Sequence, residues 1–310
     1  MAPNEQARKN HEELFPGHVS TLAMTDPQLI ETFDNFAFDE VLHHCHLDVR
    51  TRLMVQLAAI IACQGLREYR VILGAALSAG VTPIEAKEIV YQAVPYVGMA
   101  KVFDFIHATN NVLTERGIGL PLPGQSTTSP ETRMEKGLAV QKQIVGSDVV
   151  DKLYASAPAD QQHIQKYLSA HCFGDHYTRT GIDVPTRELL TFSMLVALGG
   201  CEPQVKGHVA ANLNVGNNRE RLIDVLTQLL SFIGYPRTLN GLRLVDEVAP
   251  ASDDPFLEPH RAYPLKISTF NTLRASQEQV AHERNSLERC NRGHRTWSDW
   301  PSDRAPGWRR

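Results

Sequence analysis

In the segment Cys201-Glu-Pro-Gln204-Val-Lys-Gly-His208 a thiol and an imidazole stand seven residues apart, a spacing that puts both on one face of a helix, two turns from each other. Gly199-Gly200 closes the apolar run before it and Pro203 suits a first helical turn, so Cys201 falls at or beside a helix N-terminus. Unpaired N–H groups and the positive end of the helix dipole favour thiolate over thiol there, which would make Cys201 a nucleophile. Glu188 lies thirteen residues upstream near the start of the preceding helix, and an antiparallel helix pair brings its carboxylate toward the same strip. Carboxylate, imidazole and thiol in one pocket can pass protons to and from sulfur. Each group also has a plain structural reading: a small buried cysteine, a histidine satisfying a core hydrogen bond, and a glutamate favoured by the dipole of a first turn. The spacing alone leaves both sets of readings open.

The elements that must position these groups come from a duplication. Asp48-Val-Arg-Thr51-Arg52, then Gly80, Gln92 and Gly98, recurs as Asp183-Val-Pro-Thr186-Arg187, then Gly216, Gln228 and Gly234. The copies diverge where chemistry would sit: opposite Cys201, Gln204 and His208 the first copy has Gly65, Glu68 and Ile72. The second copy is therefore the candidate reactive half. Helical periodicity dominates and strand-like alternation is scarce, so the expected fold is all-α. Helices are expected near residues 28–43, 49–63, 66–79, 83–94 and 98–116 in the first copy. In the second they fall near 132–144, 147–155, 159–171, 184–198, 202–214, 219–231 and 235–247. Thr82-Pro83-Ile84-Glu85 reads as a capping box, and the run Leu189 to Leu198 is apolar nearly all round, as an enclosed helix requires.

The expected organisation is a first repeat over residues 28–117, a breaker-rich linker over 118–131, a second repeat over 132–249 and a largely disordered tail over 252–310 with isolated Trp297, Trp300 and Trp308. With 310 residues and 42% hydrophobic content the chain can bury a substantial core, and length suggests about two domains. A net charge of -4 and a pI near 6.4 give no general attraction to nucleic acid or an anionic membrane. No apolar stretch resembles a signal sequence or a bilayer span, so the expected location is the cytoplasm, where five sparse cysteines stay mostly free thiols.

His43-His44-Cys45-His46 and His171-Cys172-Phe-Gly-Asp175-His176 resemble metal tracts by composition, yet neither has a second ligand pair at a convincing spacing, and no metal is expected. Phosphate loops, dinucleotide fingerprints and nucleophile elbows are missing, so no cofactor is expected either.

Phe173-Gly174-Asp175, Asp183-Val-Pro-Thr186-Arg187-Glu188-Leu189, the Cys201 to His208 segment and Ile233-Gly234-Tyr235-Pro236 together resemble the carboxymuconolactone decarboxylase family, which includes the alkylhydroperoxidase D-like proteins, here in tandem form. The resemblance covers roughly residues 30–117 and 132–247. It implies interlocking all-helical units, active pockets at interfaces between them, and for tandem members commonly a homo-trimer. The peroxidase branch carries Cys-x-x-Cys, a histidine four residues later and an upstream glutamate; this chain matches at Cys201, His208 and Glu188 and departs at Gln204. The decarboxylase branch has glutamate at that position and keeps the histidine. The resemblance implies a thiol-dependent oxidoreductase acting on a hydroperoxide, with Cys201 as nucleophile, His208 and Glu188 relaying protons, Gln204 and Tyr235 binding substrate, and an external thiol as reductant. The alternatives are a cofactor-free lyase or isomerase using His208, and a non-catalytic binding protein. Glu68 of the first repeat is a candidate contributor to a composite pocket, or an exposed helical carboxylate beside Arg67 and Arg70.

Overall fold

Both copies of the repeated motif start a helix in the same way. The Asp48 carboxylate accepts the Thr51 backbone N–H at 2.9 Å and the Asp183 carboxylate accepts that of Thr186 at 2.7 Å, so the recurring Asp-Val-x-Thr is an N-cap satisfying an otherwise orphaned donor. Replacing Asp183 with alanine should lower stability by about 1 kcal/mol, read as a smaller urea midpoint at unchanged slope.

The computed structural model describes residues 3–251; the tail expected over residues 252–310 lies outside the described residues. Helix α1 (Glu5–Leu14) precedes α2 (Pro27–Phe38), a 3-10 turn at Glu40–His44, α3 (Val49–Cys63), α4 (Leu66–Ser78), α5 (Pro83–Val97) and α6 (Met99–Glu115). After the linker come α7 (Arg133–Val145), α8 (Ser147–Ser156), α9 (Gln162–Tyr167), a π-helical segment at Leu168–Tyr177, α10 (Val184–Leu198), α11 (Glu202–Asn214), α12 (Arg219–Ile233) and α13 (Tyr235–Val248). Among the described residues there is no strand, and no helix is long and apolar enough to cross a membrane.

The two copies share one apolar core. Helices α3 and α10 pack on each other at its centre, and their buried residues run all round, from Leu53 to Ala62 and from Arg187 to Ala197. The third long helix of each copy also packs on the central helix of the other, α5 on α10 and α12 on α3. This reciprocal exchange makes the duplicated halves behave as two interlocked subunits joined in one chain, and it carries side chains of the first copy into the site of the second.

Three departures from the sequence reading have identifiable physical causes. Helix α1 was not expected: its sequence is polar and buries only Ala7, and it is held by its cap, Asn4, whose amide reaches Asp39 at 2.9 Å. Helix α5 continues to Val97 through Pro95, because a proline in a last turn removes only one helical bond. The helix expected over 159–171 becomes α9 plus the π-helical segment, which α7 approaches so closely that a Cβ at Gly137 would meet the Ser169 carbonyl at 2.1 Å. The linker is docked there, with Thr128 donating its hydroxyl to the Gly174 carbonyl at 3.2 Å.

Candidate functional site

Glu188 sits in the first turns of α10 and His208 in the middle of α11, and the turn between these helices brings them together: His208 Nδ1 lies 2.8 Å from Glu188 Oε2. The other carboxylate oxygen accepts the Tyr177 hydroxyl at 2.6 Å. Glu188 is fully buried while the His208 side chain keeps 14% of its surface. A carboxylate has no proton to give Nδ1, so the neutral ring carries its proton on Nδ1 toward Glu188 and leaves Nε2 as the basic atom. Among the described residues Nε2 has no protein partner.

The surroundings lock this geometry. Asn212 donates to the carbonyls of both Glu188 and His208, at 3.2 and 2.7 Å, and is itself bonded by Asn217 at 2.8 Å. Tyr177 also shares a 2.8 Å hydrogen bond with Thr191, whose hydroxyl lies 3.2 Å from Gln92 Nε2. Tyr96 comes from α5 of the first repeat, lies edge-on to the His208 ring at 5.5 Å and donates to the Tyr177 oxygen at 3.1 Å. Burial pushes both phenols far above the ordinary tyrosine range, reinforced for Tyr177 by the Glu188 charge and for Tyr96 by the neighbouring Cys172 and Tyr177, so both remain donors at neutral pH. Cys172 completes the cluster, its sulfur 3.5 Å from the Tyr96 oxygen, and burial raises that thiol to about 12. Tyr177, Tyr96, Thr191 and Gln92 were all missed in the sequence reading; Tyr96 occupies the place of Phe232 in the second copy, a polar-for-apolar difference that a full repeat comparison would expose.

Cys201 does not join this cluster. Seven helical residues span about 10.5 Å along an axis, so a shared face leaves no direct contact with His208. The thiol instead turns back to donate to the Leu195 carbonyl at 3.3 Å and lies at a small pocket with Arg237, Asn240 and Leu244. The expected thiolate is corrected on this point. The α11 amides of Gln204 and Val205 are spent on the Cys201 carbonyl, the sulfur faces the negative end of α10, and burial followed by the Glu202 charge raises its pKa above the ordinary thiol value. The thiol form is thereby favoured over the thiolate. Peptide-resolved alkylation by iodoacetamide should therefore be slower at Cys201 than at an unstructured cysteine peptide at neutral pH; faster labelling than the peptide at pH 7 would contradict the placement.

The remaining sequence candidates stand apart from the dyad. Gln204 is exposed on α11, Tyr235 is 60% exposed at the start of α13, and Glu68 is exposed on α4, which packs against α3 and α6. His43 pairs with Asp39 and His46 with Asp224, while Asp175 pairs with His171 and Arg133. Among the described residues no three His, Cys, Asp or Glu side chains gather as a metal set.

The matching place in the first repeat lacks these polar groups. Leu53 replaces Glu188, Gln56 replaces Thr191 and Ile72 replaces His208, and the space left between them is only about 10 Å³. Phe15, just past α1, and Phe38 fill it edge-to-face at 5.8 Å. The segment after α1 and the end of α2 thus fill the corresponding place.

Residues 27–111 and 162–247 match the profile of the Carboxymuconolactone decarboxylase family. The chain is 26% identical over 118 residues to 4-carboxymuconolactone decarboxylase of Acinetobacter baylyi, an alignment covering 38% of this chain and 87% of that relative. It is 27% identical over 106 residues to an uncharacterized 15.0 kDa protein in the nqo9-nqo10 intergenic region of Paracoccus denitrificans, covering 34% of this chain and 74% of that relative.

Proposed function

The chain belongs to the carboxymuconolactone decarboxylase family, and we propose that it is an acid/base enzyme, a lyase or isomerase needing no cofactor, whose substrate is a small lactone or unsaturated carboxylate. The observation that carries this reading is the His208 ring held by Glu188 at 2.8 Å, with Nε2 left for substrate. As a base, Nε2 removes a proton from a carbon beside a carbonyl, and the resulting imidazolium is balanced by Glu188. As an acid, Nε2–H returns a proton to carbon. In a decarboxylation Nε2 first takes a proton from solvent; the bond to the carboxylate carbon then breaks, carbon dioxide leaves, the electron pair moves into the adjoining unsaturation, and the imidazolium delivers that proton to carbon, returning the neutral ring. Tyr177 holds the second carboxylate oxygen throughout, so the ring keeps its tautomer and aim.

The thiol route is the rival reading. Cys201 would attack a hydroperoxide and pass to a sulfenic acid, and with Gln204 in place of a second thiol an external thiol would have to resolve it. Turnover of 4-carboxymuconolactone, the compound in the name of the Acinetobacter relative, and of cumene hydroperoxide with dithiothreitol separates the two. The acid/base reading expects Cys201→Ser to keep wild-type decarboxylation. Hydroperoxide reduction that is lost in Cys201→Ser, with no turnover of the lactone by the wild-type protein, would replace it with the thiol reading. The proposed working unit is a homo-oligomer, a trimer by the family resemblance, which sedimentation velocity measures directly.

A further inference from the structure

Roofing the first repeat, linker residues 120–125 enclose a cavity of about 350 Å³ against α5, α6 and Arg179. Its floor is Tyr91, whose ring carries a cation on either account: Lys87 Nζ lies 5.2 Å from the ring centroid and the Arg179 guanidinium 5.2 Å. The charge here is unbalanced. Glu88 is shared between Arg179, at 2.8 Å, and Arg187, at 2.9 Å, while Lys87 bonds to a neutral partner, the Asn110 amide oxygen, at 2.6 Å. Glu88 thus answers two guanidiniums, and among the described residues Lys87, the other cation lining the cavity, makes no ion pair. The opposite wall is apolar, formed by Leu122, Pro123 and their neighbours. Gln125 latches that wall in place, its backbone carbonyl accepting the Thr180 N–H at 3.1 Å and its side chain the Gly181 N–H at 3.3 Å.

We propose that this cavity is a second ligand site, separate from the Glu188–His208 dyad, that binds a small carboxylate with a flat apolar body. The anion completes the charge of Lys87 and Arg179, and the flat body lies between Tyr91 and the Leu122–Pro123 wall, where an apolar pocket with few fixed polar groups gives orientation. This inference goes beyond the acid/base reading and does not depend on it.

The probe is 4-fluorobenzoate, followed by fluorine NMR on the full chain. Saturable binding with Kd of about 1 mM or tighter is expected, with 4-fluorobenzamide, the same shape without charge, failing to bind. Lys87→Met should weaken binding at least about tenfold, Leu122→Trp should abolish it by filling the cavity, and His208→Ala should leave it unchanged. Thermal melts of both cavity variants confirm that they fold, and the benzamide comparison needs no variant at all. No binding up to about 10 mM, equal binding of the amide, or affinity insensitive to both cavity variants would overturn the proposal. Binding lost in His208→Ala alone would do the same by moving the ligand to the dyad, leaving the acid/base reading intact.

Discussion

Replacing His208 with alanine should reduce kcat by about 10² to 10⁴, the range in which a positioned proton carrier contributes, while the protein melts close to the wild-type temperature. The fold survives because the side chain removed is partly exposed and because Glu188 keeps its 2.6 Å bond from Tyr177. Glutamine at position 188 tests the same step from the other side. With its oxygen kept by the Tyr177 hydroxyl, the amide nitrogen faces His208 and donates where the carboxylate accepted, so Nδ1 becomes the acceptor, the ring proton moves to Nε2, and the base facing substrate is lost although the shape is kept. Glu188→Gln should therefore approach the His208→Ala rate. Steady-state turnover of 4-carboxymuconolactone reads both, and a His208→Ala enzyme within about threefold of wild type would sink the acid/base reading.

Much of the architecture was legible because its punctuation is local. Gly80, the Thr82–Glu85 capping box and the Asp183 cap end or begin helices through bonds that involve only neighbouring residues, and the end of α4 and the starts of α5 and α10 follow from them. The π-helical segment has no such signal. It exists because Gly174 lets the Arg133 carbonyl approach to where a Cβ would lie 2.2 Å away, a contact between residues far apart in sequence. The site divides in the same way. Glu188 and His208 belong to consecutive helices joined by a short turn, so their meeting was within reach of helical spacing. Tyr177 and Tyr96 arrive from the π-helical segment and from the other repeat, by the exchange of α5 onto α10, which no periodicity announces. Cys201 was misplaced energetically rather than geometrically. It does stand at a helix start, but the dipole argument counted α11 alone and left out the Leu195 carbonyl that α10 aims at the same sulfur.

The exchange between repeats also sets the largest expected stability effect, at Glu88. This α5 carboxylate is 1% exposed and neutralises two guanidiniums of the second repeat: Arg179, whose Nε lies 2.9 Å from both oxygens, and Arg187, which is 0% exposed. Arg187 also donates to Gln92 at 3.0 Å and to the Ile182 and Arg179 carbonyls at 3.2 and 3.0 Å, so its donors are largely satisfied and only its charge depends on Glu88. Alanine at position 88 would strand a buried cation, a change that costs about 3 to 5 kcal/mol. In a protein of this size that is roughly a 6 to 20 °C drop in Tm. Arg179 is 18% exposed and can turn toward water, so most of the loss should come from Arg187. Removing that charge as well should recover much of it: Glu88→Leu with Arg187→Leu replaces an ion pair by apolar volume, which is often neutral or better. Turnover should not recover with it, because Arg187 immediately precedes Glu188 on α10 and the ion pair fixes the turn that presents the carboxylate to His208. Calorimetry on the two variants separates these effects, and a Glu88→Ala protein melting within about 2 °C of wild type would show that α5 does not hold the dyad's helix through charge.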